Sequence, residues 1–199
     1  IQLTVITDSN CEDCLDVTPL ITDIPNSEIT EQKDLDFTSK EAQTLIEEHS
    51  IEKLPTVIIT GDIDKLSLQQ FEQKEEALIL SDVPAPYTDT ATGKISGLVI
   101  ATKIIDSSCT ACVDVNIMTQ QLQLGGVIYG DDIILEPKSP EAITLMEKYN
   151  IETLPALILS EDIAQYEFIT QLWAQVGSIE TDGSHIVRNL NPPYINVST

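Results

Sequence analysis

Apolar and polar residues alternate along this chain in two rhythms, and the same succession of rhythms occurs twice. Gln2-Leu3-Thr4-Val5-Ile6-Thr7 reads as an extended β-type run, and Leu15, Val17, Leu20, Ile21 and Ile24 suggest a helix with one buried stripe. Residues 29–37 read as a second strand. Ala42, Leu45 and Ile46 then mark the inward face of a helix for which Thr38 or Ser39 is the N-cap, with Glu41 placed to close a capping box from Thr38. Residues 54–60 form an apolar strand with Pro55 at its entrance, where a missing N–H is tolerated. Gly61-Asp62 supplies a turn, residues 66–75 suggest a short helix, and residues 77–80 a last strand.

The second half repeats the order. A strand is expected over 98–105, a helix from Cys109 to Gln123, a strand over 133–136, a helix over 139–149 and a strand after Pro155. A longer tail follows: a helix over 163–176, on which Trp173, Phe168, Tyr166 and Leu172 read as core, and a hairpin over 177–187 that turns at Asp182-Gly183. Strand, helix, strand, helix, proline-led strand and terminal elements make an α/β layer plan.

Residues 41–60 and 141–160 match at ten of twenty positions without a gap, including Leu54-Pro55 against Leu154-Pro155. Agreement spread over several elements indicates a duplicated fold. Residues 81–97 hold Pro84, Pro86, Gly93 and Gly97 with weak periodicity, so the junction falls there, giving domains 1–92 and 93–199. Pro86-Tyr87 lies six residues before Thr92, as Pro193-Tyr194 does before Thr199. After Thr92 the chain runs into the next first strand, which suggests that it stops where a further copy began or was cut, and that self-assembly through further repeats is open to it. The start at Ile1, with a strand pattern already under way, reads as a processed or excised segment.

A net charge of −23, from 33 acids against nine lysines and one arginine, disfavours nucleic acid and anionic membranes, which require a basic patch. It suits an extracytoplasmic or secreted protein, and equally a salt-adapted one. No stretch approaches the roughly 20 apolar residues of a membrane span, so no direct insertion by this segment is expected.

The four cysteines fall into two Cys-x-x-Cys pairs, Cys11/Cys14 and Cys109/Cys112, and local pairing is the economical reading. If each pair opens a helix, unpaired N–H groups and the positive end of the macrodipole favour the first thiolate. The second sulfur, three residues on, would lie one turn along the same face and close the disulfide after attack. Cys11 and Cys109 are the expected attackers, and Cys14 and Cys112 the resolvers. Glu12 and Asp13 oppose the first thiolate, whereas Thr110 and Ala111 leave the second unopposed.

A strand, a Cys-x-x-Cys, a helix and a proline at a strand entrance 44 residues after Cys11 and 46 after Cys109 resemble the thioredoxin superfamily. Two copies are similar in plan to protein disulfide oxidoreductases built from two such folds. The resemblance implies two tandem thioredoxin-like domains, each a central mixed sheet flanked by helices. It implies a thiol-disulfide oxidoreductase acting on protein thiols or disulfides without an organic cofactor. It further implies that Pro55 and Pro155 are cis and, with Leu54 and Leu154, shape a substrate groove beside the disulfides. Pro19 stands where thioredoxins often carry a helix-kinking proline. The chain departs from the pattern six residues before each first cysteine, where Val5 and Lys103 replace a buried proton-transferring acid. Asp8, Asp106, Asp16 and Asp114 are candidates to substitute, although turn and helix-terminus capping is their plainer role.

The competing reading is a non-catalytic repeat or assembly protein whose disulfides are structural. Four thiolates also suit zinc, but 94 residues separate Cys14 from Cys109, so no metal site is expected. His49 and His185 read as surface or partly packed residues.

Overall fold

The computed structural model describes residues 1–22, 24, 25 and 27–197, so Thr199, the end of the Pro-Tyr echo, lies outside the described residues. The fold is mixed α/β and separates into two compact units, Ile1–Ser96 and Gly97–Thr199.

In the first unit β1 (Gln2–Thr7) leads through the Cys11/Cys14 loop to α1 (Thr18–Ile21), then β2 (Glu31–Asp36), α2 (Lys40–Glu48), β3 (Lys53–Leu54) and β4 (Thr56–Thr60). A hairpin of β5 (Phe71–Lys74) and β6 (Ala77–Leu80) and a second hairpin of β7 (Tyr87–Asp89) and β8 (Lys94–Ser96) complete it. The main sheet runs β2-β1-β4-β6-β5, with β1 parallel to β2 and every other pair antiparallel. Both faces of its centre are apolar. Leu3, Val5, Val57 and Ile59 pack with Val17 and Ile21, while Ile6 and Ile58 pack with Ala42, Ile46, Ile51 and Leu54. A strand buried on both sides explains why residues 54–60 read as a continuous apolar run.

The second unit follows the same plan: β9 (Leu98–Ile104), α3 (Asn116–Leu124), β10 (Ile128–Leu135), α4 (Pro140–Lys148), β11 (Thr153–Leu154) and β12 (Ala156–Leu159). A 3-10 turn (Glu161–Gln165), α5 (Glu167–Val176), β13 (Gly177–Ile179), β14 (His185–Val187) and β15 (Ile195–Asn196) follow. Its sheet order, β10-β9-β12-β14-β13, repeats the first with the same parallel pair at one edge. The Pro-Tyr echo also has a structural counterpart, since β7 pairs with β3 and β15 with β11. The peptide bonds before Pro55, Pro155, Pro86 and Pro193 are all cis.

Ser39 and Ser139 cap α2 and α4, each hydroxyl accepting from an N–H three residues on, at 3.2 Å. Thr38 is therefore not the cap, and Glu41 instead meets Lys33. Residues 92 and 93, the expected domain division, lie in the turn between β7 and β8, whose register runs from Asp89 opposite Lys94.

Four further expectations of the fold fail for physical reasons. The helix over 66–75 is absent, because Phe71–Lys74 pairs with Ala77–Leu80 around Glu75, whose φ of 53° closes a tight turn. Pro19 sits in the first turn of α1, where its missing N–H costs nothing, and starts the helix rather than kinking it. His185 is buried, with Nδ1 2.8 Å from the Gly183 carbonyl and its ring edge-on to Trp173 at 5.0 Å. Of the aromatic cluster on α5, Trp173 and Tyr166 are core, whereas Phe168 and Leu172 stay exposed.

Candidate functional site at the paired cysteines

Both pairs are disulfides, with Cα atoms 5.4 Å apart in Cys11–Cys14 and 5.5 Å in Cys109–Cys112, within the ordinary range for the bond. Neither opens a helix. Each first cysteine stands seven residues before the helix that follows, on a turn in which its N–H donates to the carbonyl of Asp8 or Asp106 at 3.0 Å. The helices begin later because Asp16 and Asp114 accept from the N–H of Thr18 and Asn116, each at 2.9 Å, and so set the start of the spiral. Thr18 also helps to hold the Asp16 carboxyl below its ordinary value, its side chain contributing more than its backbone. The macrodipole acts within the first helical turn, so the expected dipole activation of Cys11 and Cys109 does not apply. The placement of Cys14 and Cys112 one helical turn on fails with it.

Turn-forming bonds also account for Asp8 and Asp106. Asp8 accepts from the backbone and side-chain amides of Asn10 at 2.9 Å, and from the buried Thr88 hydroxyl at 2.9 Å, which ties the cysteine loop to β7. Asp106 accepts from Ser108, whose hydroxyl and N–H hold its carboxyl below the usual range. Ile195 occupies the register position of Thr88 in the second unit, so Asp106 lacks that tie. Asp36, at the end of β2, accepts from Ser9 N–H at 3.3 Å, and Thr38 chiefly lowers its pKa to about 2.

The Leu-Pro loops meet the cysteines in both units. Cys14 Sγ lies 3.8 Å from the Leu54 carbonyl, the group immediately before Pro55. In the second unit Cys109, Cys112, Leu154 and Pro155 line one cleft of about 180 Å³ together with Asp106, Asp114 and Asn116. The pairs differ in access. Cys11 is only 9% exposed while Cys14 is half-buried, the reverse of what an attacking first cysteine requires, whereas Cys109 and Cys112 are both half-buried at the cleft.

Lys103 is the residue the sequence reading left unexplained. It is 1% exposed, and its ammonium donates to Asp132 Oδ2 and to Asn116 Oδ1, each at 2.8 Å. Asn116 in turn donates from Nδ2 to Asp114 at 2.7 Å, so a polar chain runs from the core to the cleft. A lone charge in the inward rhythm of Val99, Ala101 and Lys103 was the available signal. Thr88 gave none beyond the Pro-Tyr echo next to it.

No family model matches the chain, and no curated protein matches it. No group of three or more His, Cys, Asp or Glu residues suited to a metal ion occurs among the described residues. No helix among them is long and apolar enough to cross a membrane.

Proposed function

We propose that the chain is a dithiol-disulfide exchange protein made of two thioredoxin-like units, with Cys109–Cys112 as the principal reacting pair. The observation that carries this reading is the cleft in which both sulfurs of that pair stand beside Leu154-Pro155. The shared topology supports it too, since in each unit a parallel strand pair precedes antiparallel strands and the cysteine loop follows the first strand.

In the reaction a client thiolate attacks one cleft sulfur, the Cys109–Cys112 bond breaks, and a client–protein disulfide forms as the other cysteine leaves as thiolate. A second client thiolate attacking that mixed disulfide releases an oxidised client and leaves the protein dithiol. Run backward, the dithiol reduces a client. The bond exchange requires no organic cofactor, and a resting disulfide suits an oxidising, extracytoplasmic setting.

Burial of Cys11 favours a second role for the first pair, as a structural clasp on the loop that Asp8 and Thr88 hold. Trapping with the first pair removed tests the second pair alone. Cys112→Ser and Cys109→Ser are each made in a chain whose first pair is Cys11→Ser and Cys14→Ser, then mixed with reduced and with oxidised unfolded protein. Mixed disulfides that dithiothreitol releases are expected from at least one variant. Their absence from both, with no insulin reduction by the native chain, overturns the proposal in favour of inert staples.

A further inference from the structure

We infer that the outer edge of β10 is a docking strand for an extended polypeptide segment whose apolar residues are flanked by lysine or arginine. This surface lies apart from the cysteine cleft and does not depend on exchange chemistry.

Both units end their sheet in the parallel strand, and an edge strand offers a row of backbone donors and acceptors to another chain. The first unit blunts that edge. Lys33 and Asp34 stand on β2, and Lys33 bridges to Glu41 across the face toward α2. In the second unit the same register positions carry Ile133 and Ile134, paired with Thr102 and Lys103 as Lys33 and Asp34 are with Thr4 and Val5. Ile134 is 62% exposed and Ile133 is exposed as well. Beside Ile133 a shallow groove of about 410 Å³ runs between the strand and α4, lined by Thr102, Leu135, Pro140, Thr144 and Leu145. Glu141, at its rim, takes the place of Glu41, yet no lysine or arginine pairs with it among the described residues.

An added strand would join its backbone to β10 and set alternate side chains into the groove, the mode of strand-addition recognition. Charge selects the occupant. A second copy paired antiparallel about Ile133 and Ile134 would set Asp131 opposite Glu136 at both ends, and like charges directly opposite are unfavourable. A basic residue in the partner finds Asp131, Glu136 and the unpaired Glu141 instead.

The test is fluorescence anisotropy of a labelled Lys-Ile-Val-Ile-Val-Lys peptide on the full chain. Saturable binding is expected, weakened at least about tenfold by Ile133→Lys with Ile134→Asp, which installs the edge of the first unit. Glu141→Gln is expected to weaken it about twofold to fivefold and to reduce its salt dependence. A peptide N-methylated at alternate residues, tested on the unaltered chain, should not bind. No binding at about 1 mM peptide, equal binding of the N-methylated or an acidic-flanked peptide, or indifference to the double substitution overturns the proposal. So does sedimentation showing a dimer that the double substitution dissolves, because a second copy would then be the occupant.

Discussion

Removing the Asp132 carboxylate should destabilise the second unit more than removing the Lys103 ammonium that it binds. Lys103 is 1% exposed, whereas the Asp132 side chain is 54% exposed, so the two ends of this ion pair have different alternatives. In Asp132→Ala the ammonium stays in the core with Asn116 Oδ1 as its remaining partner at 2.8 Å. Stranding a buried charge costs about 3–5 kcal/mol. Discounting for the surviving amide and for water already screening the carboxylate leaves about 2 kcal/mol, roughly a thirtyfold change in the folded-to-unfolded ratio. Lys103→Met removes the charge and keeps an unbranched chain of similar length, while Asp132 turns to water, so the cost should stay within about 1 kcal/mol. Val5 holds this strand position in the first unit, opposite Val57 as Lys103 is opposite Leu157. Trp173, the one tryptophan of the chain, is buried in the second unit and reports its unfolding selectively. In urea, with a slope of about 1 kcal/mol per M for a unit of this size, Asp132→Ala should lower the fluorescence midpoint by about 2 M. Equal losses, or a larger loss in Lys103→Met, would refute the reasoning.

Burial lowers the His185 pKa from 6.5, so the folded state binds its proton less readily than the unfolded chain. Stability of the second unit is therefore fully present above about pH 6.5, falls as pH drops below it, and levels once the folded form titrates; His185→Gln should flatten that slope in urea midpoints taken from pH 8 to pH 5. A Cβ on Gly177 would stand 1.8 Å from the Ile186 carbonyl oxygen. Gly177→Ala should thus part β13 from β14 and cost more than about 2 kcal/mol by the same tryptophan signal. Ser39→Ala and Ser139→Ala each remove one cap bond and should each cost about 1 kcal/mol in calorimetric unfolding, with little difference between the units. Equilibration of single-pair variants with glutathione should find Cys11–Cys14 the more reducing pair, each roughly 30 mV corresponding to about 1.4 kcal/mol. Glu12→Thr with Asp13→Ala should raise its potential, and a first pair already above the second contradicts the charge argument.

Local chemistry was legible wherever one residue type admits few solutions. Strands β1, β4, β9 and β12 followed from runs of Val, Ile and Leu, α2 from its inward stripe of Ala42, Leu45 and Ile46, and α4 from the recurrence of the same order one hundred residues on. The pairing of cysteines three residues apart was equally local. What the chain order could not show was competition for the same backbone donors. Asp16 and Asp114 take N–H groups that a longer helix would have used, so the cysteines sit on turns seven residues upstream and lose the dipole that spacing alone suggested. Packing decided the rest: pairing with Ala77–Leu80 made Phe71–Lys74 a strand, and a neighbouring carboxylate and amide allowed Lys103 to be buried. The sequence by itself determined the duplicated α/β plan and its two sulfur pairs, because periodicity and short-range covalent geometry are written in consecutive residues. Only the tertiary structure decided which sulfurs line an open cleft, because access depends on what residues some forty positions away, Leu54 and Leu154 with their prolines, lay against them.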